Sequence, residues 1–200
     1  MKKVGIIGAG AWGIALGISL EKNGCAVCLW HHDKQKLEKL NFERKTSKLN
    51  NITICEKIKF TDSLEVVLDC DTLIYASPTQ QFDTITREIR IIRNINKPLV
   101  ITCKGIDINS NKLLTEISKE NLPDCIPVIL SGPGFAIDLA NGHPIAVTLA
   151  SNSQSTLENV GQLLASDHFR PYFNNDVVGV QIGGALKNVI AIATGIAMGK

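Results

Sequence analysis

Three groups of residues have types and spacings that can do chemistry. The first is G-A-G-A-W-G at residues 8–13. Gly8 permits a tight turn, Gly10 lets a pyrophosphate approach the backbone, and Gly13 lets a helix lie close to a strand. The N-terminus of that helix offers free N–H groups to an anion. Glycines also serve in ordinary turns. The apolar run Val4–Ile7 before the motif and the helical pattern of about Ala11–Lys22 after it favour dinucleotide binding.

The second group is a pair of lysines. Lys104 follows the apolar run Leu99–Cys103, at the carboxyl end of a strand, where ligands of open α/β sheets bind. Lys187 lies in the apolar stretch from Val177 to Gly199, and an unpaired buried ammonium is costly. Such a lysine either snorkels to solvent or works against a ligand. Desolvation would lower its pKa and equip it as a general base. Neighbouring Gly183 and Gly184 thin the helix and favour the second use. The third group is Ser131-Gly132-Pro133-Gly134-Phe135-Ala136, a second glycine-rich junction whose backbone N–H groups suit an anionic substrate or an amide.

Alternating elements must position these groups. The second strand, Ala26–Trp30, ends in His31-His32-Asp33. In a dinucleotide-binding fold this end meets the adenosine ribose; an acid there favours a free 2′-hydroxyl and a cation tolerates a 2′-phosphate. With two histidines first, the tip can serve NAD or NADP and leans to NADP. Trp12 and Trp30 are both expected beside the cofactor. Further strands are expected at Lys57–Phe60, Leu73–Ala76, Leu99–Cys103, Val128–Leu130, Ile145–Leu149 and Arg170–Phe173. Helical spacing marks a charged piece after residue 34, and then Phe82–Ile92, Leu113–Ile117 and Leu157–Leu164. Strand and helix alternate over residues 2–173, so the expected fold is a doubly wound, mostly parallel α/β domain.

Composition narrows the partners. Apolar content of 44% and charged content of 20% are those of a globular chain with a real core. The net charge of +2 comes without any long basic run, so no nucleic-acid partner is expected. Gln181, Lys187 and Asn188 argue for a buried helix after Val177 over a membrane span. No signal peptide is expected, because the first apolar stretch is short and belongs to the glycine motif. Cys25 and Cys28 form a C-x-x-C, but in a strand such positions point to opposite faces and share no metal. The six cysteines therefore read as small apolar residues of a cytoplasmic protein, with no metal site.

Four stretches together resemble one family. G-A-G-A-W-G at 8–13, C-K-G at 103–105, S-G-P-G-F-A at 131–136 and G-G-A-L-K-N-V at 183–189 come in the order of bacterial-type NAD(P)-dependent glycerol-3-phosphate dehydrogenases. The L-W-H-H-D at 29–33 is also similar to that family's ribose-side strand end. The resemblance implies a Rossmann-type domain at 1–176 and, at 177–200, the first helix of a helical substrate domain. It implies reversible oxidation of sn-glycerol 3-phosphate to dihydroxyacetone phosphate, a supply of phospholipid backbone. By matching positions, Ala11, Trp12, His32 and Ala136 would line the cofactor beside Gly8, Gly10 and Gly13. Lys104 would touch cofactor and substrate, Gly132 and Gly134 would hold substrate, and Lys187 would be the proton acceptor, with Lys104 supplying positive charge near the reacting oxygen.

Two departures bear on this. The family usually has serine or threonine where this chain has Gly134, which removes a hydroxyl from the substrate turn. The chain also ends at Lys200, inside what would be the helical domain's first helix, so little or no turnover is expected of these 200 residues alone. Oligomeric state is left open, a homodimer of the complete protein included, and an exposed apolar helix from Val177 would favour self-association. The competing readings are a β-hydroxyacid dehydrogenase, which also places a lysine on the first helix of a helical domain, and a non-catalytic dinucleotide-binding fragment.

Overall fold

A computed structural model describes residues 1–199. Eight strands form one sheet in the order β3-β2-β1-β4-β5-β6-β7-β8. They are β1 Lys3–Ile7, β2 Ala26–Trp30, β3 Lys59–Thr61, β4 Thr72–Tyr75, β5 Pro98–Ile101, β6 Ile126–Ser131, β7 Ile145–Ala150 and β8 Phe169–Asn174. All neighbouring pairs are parallel except β6 with β7. The helices are α1 Ala11–Lys22, α2 Lys34–Glu43, α3 Leu64–Leu68, α4 Phe82–Ile92, α5 Leu114–Asn121, α6 Ala136–Asn141, α7 Gln154–Leu164 and α8 Val177–Met198. This is the doubly wound, mostly parallel α/β architecture that the alternation predicts.

The central strands are apolar throughout because both faces of the sheet are covered. Successive side chains alternate between two cores. Val4, Ile6, Val27, Leu29, Ile74, Val100, Val128 and Leu130 face one core, shared with apolar residues of α1, α6 and α7. Ile7, Trp30, Leu73, Tyr75, Leu99, Ile101 and Ile129 face the other, shared with residues of α3, α4 and α5. Within the second core the fully buried Phe82 meets Tyr75 edge-on, with ring centroids 4.7 Å apart.

The sequence reading misses α3 and starts β3 two residues early. Five residues are too few to show helical periodicity. Ile58, expected in the strand, is instead buried in a turn that closes onto the carbonyl of Cys55.

The larger correction concerns α8. Of its 22 residues only Gln181 is buried, and Ile190, Ile192 and Ile196 are each more than 60% exposed. The helix is about 33 Å long at 1.5 Å per residue, whereas its supports β6 and β7 are six-residue strands. Its first half therefore rests on the sheet and its second half overhangs. α8 is long and apolar enough to cross a membrane by length and composition alone, and the described residues do not bury it as the polar trio predicts.

The turn between β1 and α1 depends on two glycines. Gly8 has φ +127°, and a Cβ there would lie 2.7 Å from the carbonyl of Ala76. A Cβ on Gly13 would collide with the carbonyl oxygen of Gly8 itself, whereas one on Gly10 would meet open space. Gly13→Ala is expected to destabilise the chain by about 1–3 kcal/mol through overpacking, and Gly10→Ala by less than about 1 kcal/mol as a weaker helix cap. Thermal unfolding of both variants checks this, and equal losses would contradict the close contact.

Candidate functional site

Where strand order reverses, β1 and β4 lie side by side and their following chains diverge to opposite faces of the sheet. A crevice opens there, as in open α/β sheets generally. It is a cleft of about 520 Å³. Gly10, Ala11 and Trp12 form one wall, and Ala76, Ser77 and Pro78 after β4 form the floor. Thr102, Cys103 and Lys104 after β5, and Gly132 with Gly134–Ala136 after β6, form the far side.

The anion-binding character of the first wall comes from what is missing. The N-cap of α1 is Gly10, which has no side chain to accept from the first-turn N–H groups, and that turn contains no acidic residue. Other helices here do carry a cap: Asp33 caps α2, Ser153 caps α7 and Asp176 caps α8. The residues present thus fit a diphosphate-bearing dinucleotide. The floor is tied down by hydrogen bonds. Ser77 Oγ donates to the carbonyl of Ile7 at 3.1 Å, and Thr102 Oγ1 to that of Tyr75 at 2.9 Å.

Lys104 Nζ donates to the carbonyl of Gly132 at 2.7 Å, joining the ends of β5 and β6. Thr79 Oγ1 donates to the carbonyl of Lys104 at 2.8 Å and fixes its backbone. Lys187 borders a smaller hollow of about 310 Å³, together with Ser131, Gly132, Pro133, Thr148, Val180, Gly183 and Gly184. Gly132 lines both spaces, and the two lysines meet beside it. Gln181 anchors α8 by accepting from the N–H of Thr115 at 3.2 Å and donating to its Oγ1 at 2.9 Å.

A lowered lysine pKa is found at Lys104. Lys187 is exposed. Lys104 is brought down to about 8, first by burial and then by the ammonium of Lys187 beside it.

The remaining sequence candidates divide as follows. Gly10, Ala11, Trp12, Gly132, Gly134 and Ala136 line the main cleft, while Gly8 and Gly13 act beneath it. His32 lies outside the cleft lining; it is exposed and stacked on His31, centroids 4.5 Å apart. Trp30 is also outside. Its indole is buried in the second core, and its Nε1 donates to the carbonyl of Asp62 at 2.9 Å. Strand alternation from Leu29 would have placed it there. A side chain at Gly134 would press on Ile145 at 3.3 Å, so the hydroxyl-free residue leaves that wall apolar. Ser77 and Thr148 border the site outside the three groups, although their places just past β4 and on β7 are open to the strand-end rule.

Fold and cleft together define a dinucleotide-binding α/β domain of the dehydrogenase type. The chain belongs to the NAD-dependent glycerol-3-phosphate dehydrogenase family: the family's N-terminal part matches residues 3–157 and its C-terminal part residues 176–200. It is 38% identical over 200 residues to glycerol-3-phosphate dehydrogenase, NAD(P)+, of Hyphomonas neptunium, and 37% identical over 203 to that of Fusobacterium nucleatum. All of this chain is covered in both, but only 60% and 61% of those relatives. The crystal structure of glycerol-3-phosphate dehydrogenase from Coxiella burnetii superposes with a TM-score of 0.91 at 30% identity, over 99% of this chain and 61% of that one.

Because like charge opposes protonation, Lys187→Met is expected to raise the Lys104 pKa from about 8 part of the way to the ordinary lysine range, burial accounting for the rest. NMR titration of the ¹³C-dimethylated lysines checks this. An unmoved Lys104 would mean that the two amines do not interact.

Proposed function

We propose that the chain binds NAD(P) in the main cleft and that the protein interconverts sn-glycerol 3-phosphate and dihydroxyacetone phosphate there. The observation that carries the reading is the convergence of Lys104 and Lys187 on Gly132, at the end of the cleft away from the ribose-side tip of β2. The uncapped first turn of α1 holds the diphosphate through its N–H groups, with Gly8 and Gly13 setting the turn and Gly10, Ala11, Trp12 and Ala136 against the cofactor. His32 belongs to the adenosine end. When bound, the cofactor supplies a nicotinamide ring that accepts or returns a hydride.

The substrate lies beside Gly132 and Gly134. Lys187 Nζ takes the proton of the C2 hydroxyl as hydride leaves C2, and in reverse returns it to the developing alkoxide. Lys104 Nζ, held by Gly132, keeps positive charge next to that oxygen, where charge develops in the transition state. Its pKa of about 8 leaves it mostly charged at neutral pH and limits that contribution above pH 8. In this reading α8 opens the helical domain, residues 1–176 form the cofactor domain, and Lys200 lies outside the described residues.

Tryptophan-excited titration with NADPH or NADH is expected to give saturable quenching with energy transfer to the nicotinamide. Trp12→Phe should remove most of the transfer, since Trp30 faces the other core. A folded chain without quenching would sink the cofactor placement. With cofactor bound, dihydroxyacetone phosphate should protect Lys104 and Lys187 from an amine-directed label. Protection by a β-hydroxycarboxylate alone would instead favour the β-hydroxyacid dehydrogenase reading.

A further inference from the structure

Most of what holds α8 to the sheet is not directional. Val177 and Val180 pack on the second core, and a Cβ on Gly184 would lie 2.9 Å from Ser131 Oγ and 3.7 Å from Lys104 Cγ. Contacts of this kind fix how near the helix lies but set its rotation only loosely. At the outer radius of a helix, about 5–6 Å, a rotation of about 30° carries a side-chain end about 3 Å. A misplacement of about 1 Å is enough to spoil a reacting geometry. Something must therefore fix the angle at which α8 presents Lys187.

Gln181 is the one buried residue of α8, and its carboxamide is fully engaged. Oε1 accepts from the N–H of Thr115 at 3.2 Å. Nε2 donates to Thr115 Oγ1 at 2.9 Å and to the carbonyl of Val177, one turn back in α8, at 3.1 Å. The amide can face only one way, because an N–H must meet its oxygen and a carbonyl its nitrogen. Thr115 also has a reason to wait for it. The N-cap of α5 is Leu113, which has no oxygen to offer the free N–H groups of the first turn. Gln181 supplies that missing cap from 66 residues away.

The chain that leaves β5 through Lys104 leads into α5, so this anchor refers α8 to the same segment that carries the other lysine. Gln181 and Lys104 border one narrow gap of about 10 Å³, together with Gly184 and Ser131. Gln181, Gly184 and Lys187 follow at three-residue steps, each turned about 60° from the last. A ridge that starts at Thr115 thus ends beside the Lys104 amine.

We propose that Gln181 is a positioning residue of the reaction, which through Thr115 sets the rotation of α8 and so holds Lys187 against Lys104 and Gly132. This rests on the proton-transfer reading of the lysine pair. It adds to that reading a residue that acts through Lys187 and lines neither the main cleft nor the Lys187 hollow.

The test is NMR titration of the chain with ¹³C-dimethylated lysines. Gln181→Leu keeps the buried bulk and removes all three hydrogen bonds. It should raise the Lys104 pKa from about 8 as Lys187→Met does, and the double variant should show no further rise. Thr115→Val, which deletes only one bond, should give a smaller rise, and Thr115→Ser none. Lys104 still near 8 in a folded Gln181→Leu of lowered melting temperature would mean a merely structural role and overturn the proposal. An unmoved Lys104 in Thr115→Val, or rises that add in the double variant, would also overturn it. In a second readout, dihydroxyacetone phosphate with bound cofactor should protect Lys187 from an amine-directed label in the parent and in Thr115→Ser. Gln181→Leu should lose most of that protection while its tryptophan-excited titration with NADPH and NADH is unchanged. No protection in the parent would overturn the reading of the reaction itself, even where the Lys104 shift shows that Gln181 places the helix.

Discussion

The structure depends on a space with no room for a carbon atom. At Gly13 the first turn of α1 lies so close to the end of β1 that a Cβ would strike the Gly8 carbonyl, and Gly8 itself turns through a conformation that favours glycine. The helix axis is thereby set by backbone contact, without side chains that could repack. Its unpaired N–H groups are aimed into the crevice beside β4, where Ser77 is fastened to the carbonyl of Ile7. A stabilising cap at Gly10 would compete with any anion for those groups. Weak capping at this helix is thus the counterpart of binding.

The single antiparallel pairing has a similar consequence at the other end. Because β7 returns alongside β6, the turn after β6 backs directly onto it, and a Cβ on Gly132 would approach the carbonyl of Ala146 to 2.9 Å. The Gly132 carbonyl is thereby fixed where Lys104 can reach it. Gly184 extends the effect, since a Cβ there would sit 2.9 Å from Ser131 Oγ. Only a bare backbone lets α8 cross so close to the strand end. Lys187 follows Gly184 by three residues, nearly one helical turn, and so emerges on the same side.

How much of this was legible follows from what each signal measures. Glycine spacing reports backbone contact, and the motif at residues 8–13 located both the turn and the uncapped helix. Apolar strands report burial on two faces, and the core strands stood where expected. A pKa shift depends on which side chains lose water, and that is tertiary. Lys104, next to nothing unusual in sequence, is the one whose amine is brought down, by partial burial and by the neighbouring Lys187. Trp30 lies off the cleft for a simpler reason: it ends a strand, but on the face turned to the second core. The commitment of Asp33 to α2 was hidden because a cap and a ribose ligand look alike as one aspartate.

The lysine pair borders a cleft whose middle is mostly apolar, in a chain with a net charge of only +2. Its sign is therefore local, made by withholding carboxylates from particular strand ends. The pair places amines against one another and removes part of their water, so Lys104 holds its proton less firmly than an ordinary lysine does. Such crowding works against the empty fold and in favour of any occupant that brings negative charge. The same repulsion that raises the free energy of the unliganded chain becomes a difference in affinity when an anion enters, and it does so without new contacts having to form.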